Sequence, residues 1–301
     1  MNSRFLPCRI DAHQHFWQVA RGDYDWLRAD VPALRPLYRN FLPRNLSPLL
    51  RRHGVTQTVV VQAAPTEAET EFLLTLADDH DWIGGVVGGV DLSQPAAALA
   101  LERWARHPKF KGVRPMLQDL GDVEWIARAP NRGVMHALVD LNLRFDALVR
   151  PQHLAALLQF LRRYPDLPVV IDHAAKPQIA AGWQADWAAV WRRDMAEIAA
   201  HPNVVCKLSG LLTETAWSQN PSLKQAISNV RPVWNELLGW FGPERLLWGS
   251  DWPVLSIAAD FDRWVSVCDA LIGELPARDQ ARIWHDNACR FYGLEDRGAR
   301  A

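Results

Sequence analysis

What the chain has little of narrows its chemistry first. Its 301 residues include four cysteines, Cys8, Cys206, Cys268 and Cys289. They lie far apart and none forms a Cys-x-x-Cys pair, which argues against a disulfide framework or a cysteine-based structural zinc site. They are expected to be buried thiols. Neither sign of charge is in excess: 33 Lys and Arg face 34 Asp and Glu, for a formal net charge of −1. That argues against the basic footprint of a nucleic-acid binder or a membrane-surface protein. No apolar run approaches the ~18 residues of a membrane span, and Met1 to Pro7 lack the apolar stretch of a secretory leader. A cytoplasmic location without nucleic-acid or membrane partners is expected, and self-association is left open. No Gly-x-Gly-x-x-Gly follows a strand-like segment, and no Gly-x-Ser-x-Gly nucleophile turn is present.

What is there is an ample core, with 49% hydrophobic and 22% charged residues. The 15 tryptophans are mostly expected in that core, with a few lining a pocket, where flat rings suit cyclic ligands. From residue 46 onward the chain alternates. Apolar, β-branched runs at Thr56–Ala63, Ile83–Leu92, Phe110–Leu117, Leu143–Val149, Pro168–His173, Val204–Ser209 and Leu246–Asp251 read as strands. Amphipathic segments at Leu46–His53, Glu67–His80, Pro95–His107, Arg132–Leu141, Pro151–Tyr164, Ala185–Ala200 and Leu223–Phe241 read as helices. With Arg9–His13 as the first strand there are eight units, recurring about every 34 residues, which favours a closed (β/α)8 TIM barrel over an open doubly wound sheet. No linker interrupts the pattern, so one domain over residues 1–301 is expected. Residues 19–48, rich in Pro and Arg without a period, read as an ordered excursion in which Tyr24, Trp26 and Leu27 cover a site.

In a barrel the C-terminal ends of the strands meet at one mouth, and that is where such enzymes keep their sites. His13 and His15 end the first strand and point one way, because side chains alternate across a strand. Gln62 ends the second, Arg114 the fourth, His173 the sixth, Lys207 lies near the end of the seventh, and Asp251 ends the eighth. None of the seven is needed to fill an apolar core. Without a nucleophile motif, water is the expected attacking group. Asp251 is then the candidate general base, with histidines, a metal, Arg114 or Lys207 stabilising the oxyanion of a carbonyl substrate. Gln62 reads as a hydrogen-bond partner, Lys176 as a helix cap, and Trp26 and Trp252 as candidate surfaces for a cyclic substrate. His53, His80, His107, His201 and His285 read as structural.

In order and at these spacings the motifs resemble the amidohydrolase superfamily. They are Ile10-Asp11-Ala12-His13-Gln14-His15-Phe16-Trp17, Lys111-Gly112-Val113-Arg114, Val170-Ile171-Asp172-His173, Val205-Cys206-Lys207-Leu208-Ser209-Gly210 and Trp248-Gly249-Ser250-Asp251-Trp252-Pro253. Within it, the chain is similar to the sugar-lactonase group that includes L-fuconolactonase and L-rhamnonolactonase. The resemblance implies a distorted (β/α)8 barrel of the metal-dependent hydrolase type, with catalytic His13, His15, His173 and Asp251. It also implies one divalent ion, zinc by its N/O ligand preference, held by His13, His15, His173 and Asp251, in a group where some members hydrolyse without a metal.

The departures matter. Two-metal relatives carry a bridging Lys or Glu at the fourth strand and a His at the fifth. Here those strands end in Arg114 and Val149-Arg150-Pro151, so a binuclear centre is not expected. The expected reaction is opening of a sugar 1,4- or 1,5-lactone to its acid, with Arg114, Lys207, Gln62, Trp26 and Trp252 at the substrate. The alternatives are an aromatic-pathway lactone of the pyrone dicarboxylate or muconolactone type, and a metal-dependent decarboxylation.

Overall fold

The computed structural model describes residues 8–215 and 222–296. Eight short runs rich in Val, Ile and Leu form the strands β1 (Arg9–Gln14), β2 (Val55–Val61), β3 (Ile83–Gly88), β4 (Phe110–Val113), β5 (Arg144–Ala147), β6 (Val169–Ile171), β7 (Val204–Leu208) and β8 (Leu246–Trp248). They lie in one sheet in sequence order, every neighbouring pair parallel. Parallel neighbours need crossovers, and helices supply them: α1 (Pro43–Arg52), α2 (Glu67–Asp79), α3 (Ala97–Trp104), α4 (Trp125–Arg128), α5 (Arg132–Asp140), α6 (Leu154–Arg163), α7 (Asp186–Ala199), α8 (Leu223–Phe241) and α9 (Phe261–Ile272). Side chains close their starts: Thr66 accepts from the Glu69 N–H ahead of α2, and Asn131 caps α5. Eight parallel strands with helices between them, closed as described next, make the distorted (β/α)8 TIM barrel expected from the spacing.

The seam between β8 and β1 carries no continuous ladder. It is joined by a parallel bridge between Gln14 and Trp252, by Asp251 N–H donating to His13 O at 2.8 Å, and by His15 N–H donating to Trp252 O at 2.7 Å. The two strand ends that carry three of the expected site residues are therefore hydrogen-bonded to each other through their backbones.

Inside the barrel, Ile10, Ala12, Val59, Val61, Val87, Val170 and Leu247 pack against Ala288, Phe291, Tyr292 and Leu294. After the short helix α10 (Ala277–Ala281), the last helix, α11 (Asn287–Tyr292), supplies Ala288, Phe291 and Tyr292, and Leu294 follows it, so this segment plugs the floor. No helix among the described residues is long and apolar enough to cross a membrane.

Several strands are shorter than their apolar runs. β3 stops at Gly88 rather than Leu92, β4 at Val113 rather than Leu117, and β8 at Trp248 rather than Asp251. The reason is that hydrophobicity records burial, not hydrogen bonding. Leu92 and Leu117 are buried under the loops over the mouth, after the chain has left the sheet. The excursion after β1 is ordered. Trp17 and Phe41 pair in an antiparallel bridge, Tyr24 donates to Glu69 Oε2 at 2.8 Å, and Trp26 donates to Ala63 O at 2.8 Å.

Candidate active site

The geometry grows from β1. His13 and His15 bring their Nε2 atoms to 3.2 Å. His15 Nδ1 lies 2.7 Å from Val61 O. A carbonyl only accepts, so Nδ1 carries the proton and the His15 Nε2 lone pair is bare. His13 Nδ1 has two neighbours: Lys207 Nζ at 3.0 Å, which can only donate, and Asp172 Oδ1 at 3.2 Å, which can accept. Either tautomer of His13 is thus supported, and the one with its proton toward Asp172 leaves both Nε2 lone pairs facing the same space.

Asp251 completes the group. Its Oδ1 lies 3.4 Å from His15 Nε2, 3.9 Å from His13 Nε2 and 3.8 Å from His173 Nε2. Asp251 has φ 57°, in the left-handed region, and a buried clasp holds it there. Asp11 accepts from Ser250 N–H at 2.8 Å and from Ser250 Oγ–H at 2.5 Å. A side chain at Gly249 would not fit, because its Cβ would meet His13 Cβ at 2.7 Å.

His173 is delivered by an unusual turn. His173, Ala174, Ala175 and Lys176 have φ of 53°, 52°, 60° and 50°. Left-handed backbone costs roughly 1–2 kcal/mol per non-glycine residue, and such strain is typically kept where function requires it. In a turn of this tightness residues three apart eclipse, so His173 and Lys176 emerge on the same side. Ser209 Oγ lies 2.8 Å from His173 Nδ1, which fixes the ring with Nε2 toward Asp251. Lys176 is therefore the end of a left-handed turn rather than the cap of the following helix.

Burial decides the charge states. It lowers His13 and His173 well below the usual imidazole value, with Lys207 adding to the effect at His13, and it lowers His15 as well. All three rings are neutral near pH 7. Burial alone would raise the Asp251 carboxyl, but His173, the His15 contact and Lys176 outweigh it, and the group lies below the usual carboxylate value. Beneath the site, Lys207 Nζ is 2.6 Å from Asp146 Oδ2 and 2.9 Å from Asp172 Oδ1. Burial pushes Asp146 up to about 6, against the pull of Lys207. At Asp172 burial is outweighed by Lys207, His173 and Arg114, and the carboxyl is lowered. Burial likewise raises Asp11 to about 7 despite its hydrogen bonds to Ser250.

With the His13 proton on Nδ1, toward Asp172, His13 Nε2, His15 Nε2 and Asp251 Oδ1 are three acceptor atoms with no proton between them, in a shape that suits one divalent cation. A second grouping, His13 with Asp172 and His173, is less suited, because its carboxylate already faces the Lys207 ammonium. His173 thus approaches the first group through Asp251 rather than closing on His15 as a fourth equal member. Arg114 Nη1 stands 3.4 Å from His13 Nε2. A guanidinium keeps its charge, so this neighbour opposes a second metal ion.

The mouth opens into a cavity of about 630 Å³ whose wall includes His15, His173, Asp251, Arg114 and Trp26. Of the residues expected at a substrate, Arg114 and Trp26 face this space and three others do not. Lys207 is fully buried behind His13, because it sits two residues before the end of its strand run. Gln62 is buried and donates to Arg114 O, while Arg114 donates back to Gln62 O. Trp252 packs edge-on against Phe16 and Phe41. Asp11, Asp146 and Asp172 were not singled out from the sequence. Each is a carboxylate inside an apolar strand run, which is itself a signal of a buried partner.

Known proteins resemble the chain over nearly its whole length. The model of the amidohydrolase family matches residues 10–294. An L-fucono-1,5-lactonase of Burkholderia ambifaria is 46% identical over 294 residues, covering 96% of this chain and 97% of the relative. An L-fucono-1,5-lactonase of Burkholderia multivorans is 37% identical over 292 residues, with 96% and 97% covered. A crystal structure of an amidohydrolase from Burkholderia multivorans with bound zinc superposes with a TM-score of 0.86 at 35% identity, covering 96% of this chain and 100% of that one. The chain belongs to the amidohydrolase family.

Proposed function

We propose that this protein hydrolyses a sugar lactone, an aldono-1,5- or 1,4-lactone, to the open acid. The observation that carries the reading is Asp251: an ionised carboxylate flanked by neutral imidazoles, on a cavity wall that also carries Arg114, in a chain 46% identical to an L-fucono-1,5-lactonase. In this proposal Asp251 takes a proton from the water that attacks the lactone carbonyl carbon. Arg114 offers positive charge to the oxyanion that forms. When the ring C–O bond breaks, the alkoxide takes up the proton held on Asp251, and the carboxylate is regenerated. His15 and His173, each fixed through Nδ1 by Val61 O and Ser209 Oγ, keep their Nε2 atoms toward the reacting centre.

The residues present fit a divalent ion, and zinc is proposed. Ligand atoms at ~2.0–2.1 Å around a tetrahedral zinc stand about 3.3 Å apart; His15 Nε2 lies 3.2 Å from His13 Nε2 and 3.4 Å from Asp251 Oδ1, and the third separation, His13 to Asp251, is 3.9 Å. These three would hold the ion, with His173 adjacent. Bound there, zinc would polarise the carbonyl and acidify water. The reading also places the reaction in the cytoplasm, on a small soluble substrate.

A pH-indicator assay on fucono-, rhamnono-, galactono- and arabinono-lactones tests the proposal. Turnover well above spontaneous hydrolysis is expected on at least one. Silence on all four, with activity on a pyrone dicarboxylate, a muconolactone or a benzoate-type decarboxylation substrate, would overturn it.

A further inference from the structure

Four charged residues on the cavity wall, Asp119, Arg150, Lys176 and Glu214, lie outside the catalytic proposal, and the last two stand beside each other. Lys176 ends the left-handed turn that also presents His173. Glu214 lies on the loop after β7. Their side chains are only 17% and 19% exposed, yet Lys176 Nζ and Glu214 Oε1 are 3.8 Å apart, beyond hydrogen-bond distance. Among the described residues neither side chain makes a hydrogen bond, although both are largely withdrawn from solvent. Their backbones, by contrast, are pinned. Lys176 N–H donates to His173 O at 2.8 Å, and Glu214 O accepts from Ala180 N–H at 3.0 Å. On either side of Glu214, Thr213 Oγ and Thr215 Oγ donate to Gly210 O and Leu212 O. A rigid backbone thus holds a donor and an acceptor with unspent capacity at the edge of the reacting centre.

A gap of this size between an ammonium and a carboxylate suits hydroxyl groups, each of which can accept from one and donate to the other. We infer that Lys176 and Glu214 form the hydroxyl-binding arm of the site and set its specificity for hydroxylated lactones over unsubstituted ones. The inference rests on the sugar-lactone reading above. Burial raises the Glu214 carboxyl, with Asp251 adding to the rise, while Lys176 and Arg150 pull it down. A carboxylate so poorly solvated gains most from hydroxyl donors, and a deoxygenated ligand leaves it with only the long ion pair to Lys176 and no hydrogen bond. The same cavity wall also carries the apolar side chains of Leu34, Leu37, Val254 and Ile257, which can meet the C–H faces of a ring.

The test compares wild type, Glu214→Gln and Lys176→Met on a hydroxylated aldono-1,5-lactone and on δ-valerolactone, which has the ring but no hydroxyls. The ratio of kcat/KM for the hydroxylated over the unsubstituted lactone should fall roughly 10- to 100-fold in each variant, as for loss of a hydrogen bond to a charged group. On the hydroxylated lactone the loss should fall mainly on KM. A purely structural role would lower both substrates together. A ratio unchanged in both variants, or a fall in kcat with KM unchanged, overturns the inference. If wild type opens no sugar lactone, the functional reading fails in that row and takes the inference with it. Wild-type turnover with unchanged variant ratios defeats the inference alone.

Discussion

Replacing Lys207 with methionine tests the buried charges beneath the site. Lys207 sits between Asp146 and Asp172 at 2.6 and 2.9 Å, and all three side chains are fully buried. Methionine keeps the length of the side chain and removes its charge, which leaves two carboxylates with no cation between them. Breaking a buried pair in this way costs roughly 3–5 kcal/mol. The same size follows from protonation, since holding an aspartate of ordinary value neutral at pH 7 costs about 4 kcal/mol. Asp146 is partway there, raised to about 6, whereas Asp172 is held low by its cations, so the change falls mainly on Asp172. The sign follows directly. In the variant, the folded-state value of Asp172 rises above the unfolded one. The penalty is then small below the unfolded value and grows as pH rises toward the folded one. Lowering the pH from 7 to 5 should therefore return up to ~2.7 kcal/mol relative to wild type. Adding Asp146→Asn to the variant should recover part of the loss at pH 7. Urea unfolding at both pH values measures this. A loss below ~1 kcal/mol, or a pH dependence parallel to wild type, would refute the reasoning.

Other consequences are as concrete. His15→Ala should abolish stoichiometric metal binding, and Asp172→Asn, by replacing the carboxylate that faces His13 Nδ1–H with a neutral amide, should weaken it roughly 10- to 100-fold; metal analysis after dialysis against graded chelator reads both, and undiminished retention contradicts the ligand set. Because Asp251 lies below the usual carboxylate value and burial keeps the imidazoles neutral, kcat/KM should show no acid limb near pH 6.5, and the basic form of Asp251 should be lost only as pH falls below about 4. A limb centred near 6.5 in short assays would assign the base elsewhere. Gly210 has φ 62°, and a Cβ there would lie 2.6 Å from His173 Nδ1. Gly210→Ala should therefore cost about 1–2 kcal/mol in backbone strain and lower kcat by displacing His173, whereas unchanged stability and rate would mean the ring has room to move.

The barrel was legible because each strand is a short apolar run and each crossover an amphipathic one, and eight such units imply closure. His13, Arg114, His173 and Asp251 stood out as polar residues ending apolar runs. Face and depth were harder to read. Lys207 and Ser209 share a face of one run, but two residues of depth separate a buried ammonium behind His13 from a hydroxyl bonded to His173. Asp11, Asp146 and Asp172 were passed over in the same kind of run, because a buried carboxylate reveals its role only with its partner, and those partners are up to 239 residues away. The left-handed turn at 173–176 had no local signal. Ala174 and Ala175 carry no preference for positive φ, and tertiary contacts alone hold them there. With that turn went the placement of Lys176, which the sequence reads as a cap of the following helix.

The most direct test of the catalytic account is the rate of Asp251→Asn on the best sugar lactone, measured with the pH-indicator assay against wild type at matched metal content. If Asp251 is where water is deprotonated, kcat should fall at least ~100-fold with KM changed only slightly. Turnover within a few-fold of wild type would remove Asp251 from that role and contradict the account.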